Sequence, residues 1–372
     1  MKGKNIEPSV PFVNLNEQHR LIKEALLATI ENVFEHSQYI LGQEVETFEE
    51  KIAKYCGVKY AVGVNSGTDA LFLAMKALGI KEGDEVITVP NSFLATTSSI
   101  IAANAKPVFV DVSKDMNINS DLIESAITKN TKAILPVHLT GRPAEMKRIM
   151  DIAKDNDLYV IEDAAQAIGA EYNGKRVGSF GDINCFSLHP LKNLNACGDG
   201  GVITTDDEEI YNKLVQMRNI GLKNRDEADI WGYNSRLDTI QAAILNVKFK
   251  YLDERIEKRR RNAKIYNEEL KDFVRVPVEK PNEKCVYHTY IIQTDKRDEL
   301  KSYLETKGIE TKIHYPIPIH LQKCAENLRN KVGDFPVAEM QADEILSLPI
   351  YPELSEKQLN YITKMIGRFC KK

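Results

Sequence analysis

With 372 residues, the chain is long enough for one large α/β unit plus a smaller one, and too long for a single small core. Apolar residues make up 43% and charged residues 28%, with no low-complexity stretch, which excludes a disordered or fibrous chain. A formal net charge of -4 supplies no global positive field to hold a polyanion, so nucleic acid is not an expected partner.

The opening segment MKGKNIEPSVPFVNLNEQ has no apolar signal region, and nowhere do about 18 apolar residues follow one another to span a bilayer. A cytoplasmic protein without membrane contact is expected. An amphipathic helix near Ile22 to Glu35 follows, and then short apolar runs alternate with helix-period segments. That alternation predicts parallel βαβ units in one open sheet covered by helices on both faces. The candidate strands are 60–64, 85–89, 107–110, 133–137, 159–161, 183–186 and 201–204. From about Ile230 the texture changes to a long helical stretch, a β-like run at Val286 to Gln293, a helix at Arg297 to Lys307 and further C-terminal helices. The chain divides on this reading into residues 1–253, an arm plus a large α/β domain, and residues 254–372, a smaller α+β domain. The basic run Arg255 to Arg261 reads as a solvated helix face. Six cysteines (56, 185, 197, 285, 324 and 370) form no C-x-x-C pair and join no histidine cluster, so they read as reduced thiols with no metal site.

Open α/β sheets bind ligands at the carboxyl ends of their strands, so the loops after the strands are where chemistry is sought. Val64-Asn65-Ser66-Gly67-Thr68-Asp69 ends a strand in small residues just where a helix begins. Such a start attracts phosphate through free N–H groups and the helix dipole, although a plain N-cap needs the same residues. Phe93 after the next strand has a ring that could lie on a heteroaromatic cofactor or pack in the core. Asp163 closes an apolar strand. Buried there, it would need a cation such as a protonated pyridine nitrogen, or it caps the next helix. The run Ser187-Leu188-His189-Pro190-Leu191-Lys192-Asn193, with Gly198, Gly200 and Gly201 beyond, sets a lysine on a loop between strands. Away from bulk water, a lysine amine loses its proton more easily and can form an imine.

Phosphate loop, aromatic ring, D-x-x-Q (Asp163 to Gln166) and S-x-x-x-x-K (Ser187 to Lys192), in that order, resemble the DegT/DnrJ/EryC1/StrS sugar aminotransferases of pyridoxal 5'-phosphate (PLP) fold type I. The likeness extends over nearly the whole chain, through Tyr39 to Gly42 with Glu44, Pro107 to Asp111, Gly232 to Leu237 with Gln241 to Ala243, and His314-Tyr315-Pro316. The resemblance implies a mostly parallel seven-stranded sheet in the large domain and PLP held as a Schiff base on Lys192. It implies that Asp163 pairs with the pyridine nitrogen, Phe93 stacks on the ring, Gln166 contacts the ring oxygen, and Ser66, Gly67, Thr68 and Ser187 hold the phosphate. Asn234 would reach the cofactor phosphate of the other subunit in a homodimer. Relatives that remove a hydroxyl carry histidine in place of the lysine, so transamination is implied here.

The substrate reading is coarser. The phrases HPLKNL and HYPIPIHLQ (His314 to Gln322) resemble the branch acting on nucleotide-linked 3-keto-6-deoxy sugars for cell-surface polysaccharide, with L-glutamate as amino donor. An aminotransferase on an 8-oxo-octulosonate for lipopolysaccharide is the alternative. His189, His314, Tyr315 and His320 are the candidate substrate contacts, with His189 read slightly more readily as structural. Three other readings compete. A nicotinamide dehydrogenase lacks its G-x-G-x-x-G, because Ile203 stands where the third glycine belongs. A triphosphatase is suggested by Gly169 to Lys175, but Arg176 replaces the magnesium-binding hydroxyl. A non-catalytic regulator of the same fold is opposed by the intact Lys192 and Asp163 and by the acidic charge balance.

Overall fold

A computed structural model describes residues 9–371. Its strands in chain order are β1 (Tyr60–Val64), β2 (Glu85–Thr88), β3 (Lys106–Phe109), β4 (Thr131–Ile134), β5 (Tyr159–Asp163), β6 (Glu171–Tyr172), β7 (Lys175–Arg176), β8 (Ile183–Ser187), β9 (Gly201–Thr205), β10 (Glu283–Lys284), β11 (Tyr290–Gln293) and β12 (Ile345–Leu348). Seven of them form one sheet in the order β1-β9-β8-β5-β4-β2-β3. Only β9 runs antiparallel to its neighbours, so β1, β2, β5 and β8 all end at the same edge. All seven expected strands are there, within three residues at each end.

Alternation along the strands explains why both faces are covered. Val62, Cys185 and Ile203 point into one apolar cluster, while Ala61, Phe186 and Val202, each one residue away, point into the other. A third cluster gathers Ala263, Tyr266, Tyr290, Leu304, Leu348 and Ile366 with Val10 of the N-terminal arm. Val10 is held there by backbone bonds to Gly308 and Glu310. The segment between runs back onto the large sheet: Ile319, Phe335 and Ala338 pack into its core, and Asp111 accepts from the Val337 and Ala338 N–H groups at 2.9 and 3.0 Å.

Two expectations need correction, and one disfavoured match finds its explanation. The basic run is no solvated face, since Arg255 and Arg259 are buried. Arg259 donates to the carbonyls of Tyr287, His288 and Ile350, which satisfies a guanidinium that burial pushes down to about 10. The β-like run begins only at Tyr290, because Tyr287 takes a left-handed φ of 45° and Val286 bonds to Gly141 instead of a strand. The triphosphatase-like match lies in the β6–β7 hairpin, whose turn residues Asn173 and Gly174 both have positive φ. Lys175 spends its amine on the Ser179 carbonyl at 2.6 Å, so this is a turn and not a phosphate loop.

Candidate active site

The ends of β1, β5 and β8 meet over the start of helix Gly67–Ala77. Ser66 caps that helix, its hydroxyl oxygen accepting from the Asp69 N–H at 3.0 Å. Its O–H stays available to donate, and the N–H groups of Gly67 and Thr68 belong to the first helical turn, which has no intrahelical acceptor for them. A Cβ on Gly67 would stand 2.5 Å from the Ser187 Cβ, so only glycine lets the helix start abut the end of β8. Ser187, Gly67 and Thr68 are thereby brought together.

Asp163 is buried, with Thr96 donating to its Oδ2 at 2.7 Å and the Ala165 N–H to its Oδ1 at 3.2 Å. Among the described residues no ion pair reaches it. Burial raises its carboxyl above the usual range, and the two hydrogen bonds and the Lys192 charge only partly offset this. Lys192 closes a turn in which its N–H donates to the His189 carbonyl at 2.8 Å. Burial brings its amine down to about 8 against the opposing pull of Asp163.

Gln166 accepts from the Thr140 N–H at 2.7 Å, which leaves its amide nitrogen to donate, and that side chain is within hydrogen-bond reach of Tyr315. Burial and the nearby Asp163 push the Tyr315 phenol up to about 12. Phe93, 55% exposed, faces Tyr315 with ring centroids 5.8 Å apart. His314 shares a 2.8 Å bond between Nδ1 and the Ser347 hydroxyl, and burial lowers it to about 4. His189 is exposed, its Nδ1 accepting from the Leu191 N–H at 3.3 Å.

Asn234 is exposed beside the phosphate-loop flank, where the next residue, Ser235, donates to Asn65 at 3.2 Å. His320 is a correction: it is buried, paired with Glu339 at 3.0 Å and stacked edge-on to Phe335, so packing removes it from the substrate candidates. Cys197 is exposed and 3.7 Å from the Lys248 amine, with its N–H held by Gln241.

Thr96 and His288 escaped sequence reading. The hydroxyls of Ser92 and Thr96, four residues apart just after β2 and 2.8 Å from each other, were the available signal for the first. His288 offered none, since it reaches the site from a distant segment. Burial first, then the charges of Lys192, Arg259, His314 and His189, hold it well below the ordinary histidine range.

The sequence profile of the DegT/DnrJ/EryC1/StrS aminotransferase family matches residues 20–367. The chain belongs to this family. It is a PLP-dependent sugar aminotransferase with the aminotransferase fold. It is 45% identical to a "pleiotropic regulatory protein" of Geobacillus stearothermophilus, over 97% of this chain and 98% of that one. It is 44% identical to the UDP-N-acetyl-3-dehydro-α-D-glucosamine 3-aminotransferase of Acidithiobacillus ferrooxidans, over 97% and 98% of the two chains. The crystal structure of DesV from S. venezuelae with a ketimine intermediate superposes with a TM-score of 0.96 at 39% identity, covering 98% of this chain and 99% of that one.

The family's cofactor fits the residues present. A buried carboxylate without a counter-cation suits a pyridinium N–H, and a partly deprotonated lysine suits an aldehyde. A capped helix start beside a serine hydroxyl suits a phosphate.

Proposed function

We propose that this family member moves the amino group of L-glutamate onto a nucleotide-linked 3-keto sugar, in a pathway for cell-surface polysaccharide. The observation that carries the catalytic reading is Asp163, buried and unpaired on the same sheet edge as an amine lowered to about 8. PLP, when bound, supplies an electron-poor ring into which charge from a deprotonated substrate carbon can flow. Asp163 keeps the ring nitrogen protonated, and Thr96 with the Ala165 N–H keeps that carboxylate ionised and aimed. Lys192 would hold the cofactor through its amine and, as a free amine beside the substrate, would accept and return the substrate carbon's proton. Gly67, Thr68, Ser66 and Ser187 hold the phosphate, Phe93 covers the ring, and Gln166 donates to the ring oxygen through the nitrogen that Thr140 leaves free. His314 is neutral at neutral pH and can accept from a sugar hydroxyl, beside Tyr315 and His189.

The 3-keto assignment is supported by the Acidithiobacillus relative and by the dTDP-3-amino-3,6-dideoxy-α-D-galactopyranose transaminase of Aneurinibacillus thermoaerophilus, 42% identical over 97% of this chain. We assign a cytoplasmic homodimer in which Asn234 reaches the phosphate in the other subunit. In support, exposed Trp231 and Tyr233 closely precede Asn234 in the chain and exposed Ile220 follows its bridge partner Asn219, Trp231 being 97% exposed. We divide each subunit near residue 253. Among the described residues no helix is long and apolar enough to cross a membrane.

The test is the absorption spectrum of the purified protein between about 300 and 500 nm, before and after glutamate. A cofactor band that shifts with glutamate supports both cofactor and donor. A band that ignores glutamate removes the donor. Turnover with an 8-oxo-octulosonate but not with a 3-keto nucleotide sugar would move the substrate assignment, and absence of turnover with any keto sugar would favour the regulatory reading.

A further inference from the structure

The lysine turn is fastened from an unexpected direction. Asn193, next to Lys192, is only 5% exposed, and its side-chain amide donates to the Val286 carbonyl at 3.1 Å. Val286 belongs to a strap, residues 286–289, that crosses between the lysine turn and the Thr140–Gly141 turn. The Val286 N–H donates to the Gly141 carbonyl at 2.9 Å and the Thr289 N–H to the Thr140 carbonyl at 3.4 Å. Gly141 has a φ of 89°, and a Cβ there would stand 2.8 Å from Val286 and 2.9 Å from the His288 nitrogen, so no side chain fits under the strap. On the outer side, buried Arg259 donates to the carbonyls of Tyr287 and His288. Tyr287 itself is in the left-handed region, a conformation that persists only where the surroundings over-determine it. Thr140 in turn holds Gln166, so one run of contacts joins Lys192 to the residue facing the ring oxygen.

We propose that Asn193 is a positioning residue for Lys192, fastening the lysine turn through the Val286 carbonyl to a strap that Arg259 holds from the other side. The physical reason is that the other bonds closing the turn, Lys192 N–H to the His189 carbonyl, Ala196 N–H to the Leu188 carbonyl and the Asn195 amide to the Pro190 carbonyl, lie within the loop itself, whereas Asn193 ties the backbone beside Lys192 to a distant segment. Without that tie the whole turn could shift as a unit relative to the rest of the site, and a misplacement near 1 Å costs a reacting pair up to about 100-fold. The inference rests on Lys192 being the lysine that captures PLP.

Asn262 provides a matched control. It is equally buried, its amide donates to a backbone carbonyl, that of Tyr351, at the same 3.1 Å, and its Oδ1 also lacks a partner, but it sits in the third core cluster's helix. The experiment strips the cofactor from wild type, Asn193→Leu, Asn193→Asp and Asn262→Leu, adds PLP, and quenches with borohydride at intervals to count covalently captured lysine. Thermal unfolding is recorded for each protein. Asn193→Leu and Asn193→Asp are expected to capture PLP about tenfold more slowly or worse, while Asn262→Leu captures at the wild-type rate despite a comparable loss of stability. Asn193→Asp keeps the side-chain shape without the N–H donor, and it carries the test alone if Asn193→Leu does not fold. Wild-type capture rates in the Asn193 variants, or equal slowing in Asn262→Leu, overturn the proposal. Failure of the wild type itself to capture PLP removes the reading of Lys192 instead.

Discussion

Glu162 and Asp163 are consecutive carboxylates at the end of β5, and because side chains alternate along a strand they enter two different environments. Glu162 is fully buried and fully occupied: it pairs with His138 at 2.8 Å and accepts from the N–H groups of Gly178, Phe180 and Gly181. The Ala144 N–H donates to His138 Nδ1, which leaves the Nε2 proton for Glu162. Burial by itself would raise Glu162, but the bond and charge of His138 and the backbone donors outweigh it and hold the carboxyl below its usual range. Asp163 is also buried, with two donors and, among the described residues, no ion-paired cation, the nearby Lys192 charge offsetting burial only in part, and its carboxyl is raised. The difference teaches that burial does not make a carboxylate catalytic; unfinished satisfaction does. One acid closes a loop, and the other is left without an ion-pair partner of its own.

Four substitutions and one titration test that contrast. On the open side, Lys192→Ala should abolish covalent capture of PLP and lower turnover by about 1,000-fold or more, read by borohydride trapping and steady-state kinetics. Asp163→Asn should lower kcat by about 100- to 1,000-fold, on the scale of losing one preorganised electrostatic group. Its cofactor-free form should nevertheless be no less stable than wild type at neutral pH. The sign follows from the raised carboxyl: the folded state holds that proton more tightly than the unfolded chain, so ionising Asp163 above the usual carboxylate range works against folding.

On the closed side the sign reverses. Glu162→Ala should destabilise the protein by about 3 to 5 kcal/mol in denaturant unfolding, since it strands three backbone donors and His138. Because Glu162 is held below its usual range, its contribution is present above that range and lost as pH falls through the lowered value, so the variant should flatten the acid limb of the stability curve. Equal stability losses for Asp163→Asn and Glu162→Ala would break the comparison. Thr96→Val removes a hydrogen bond to a charged group, worth about 1.5 to 3 kcal/mol, and should reduce kcat by about tenfold or somewhat more while leaving the KM for the amino donor in place. The smallest expected effect is a pH inflection: capture of PLP by the cofactor-free protein should rise through about 8 as Lys192 loses its proton. An inflection near the ordinary lysine value would show that the amine is not desolvated.

Much of the site was legible because its residues lie at strand ends, where a period-two pattern followed by small residues announces itself. Lys192, Asp163 and Phe93 stand out in this way as candidates, while Gln166 comes from the family resemblance. His320 misled because it belongs to a phrase with His314 and Tyr315, although the short helical turn at Ile319–Leu321 carries it into the core against Phe335 and Glu339. The arginines misled because a charge run looks the same from sequence whether its face meets water or a row of carbonyls. Arg255 and Arg259, one helical turn apart, meet the second.

By itself, the sequence determined the seven strands, the loops that carry chemistry and the family, because these depend on residues close together in the chain and on local periodicity. Only the tertiary structure decided which of two adjacent carboxylates stays unpaired, that Thr96 aims it, and that a strap nearly a hundred residues away from Lys192 fastens its turn. Those outcomes depend on which donors distant segments bring to a buried atom, and hydrogen bonds made across such separations leave no periodic trace in a single chain.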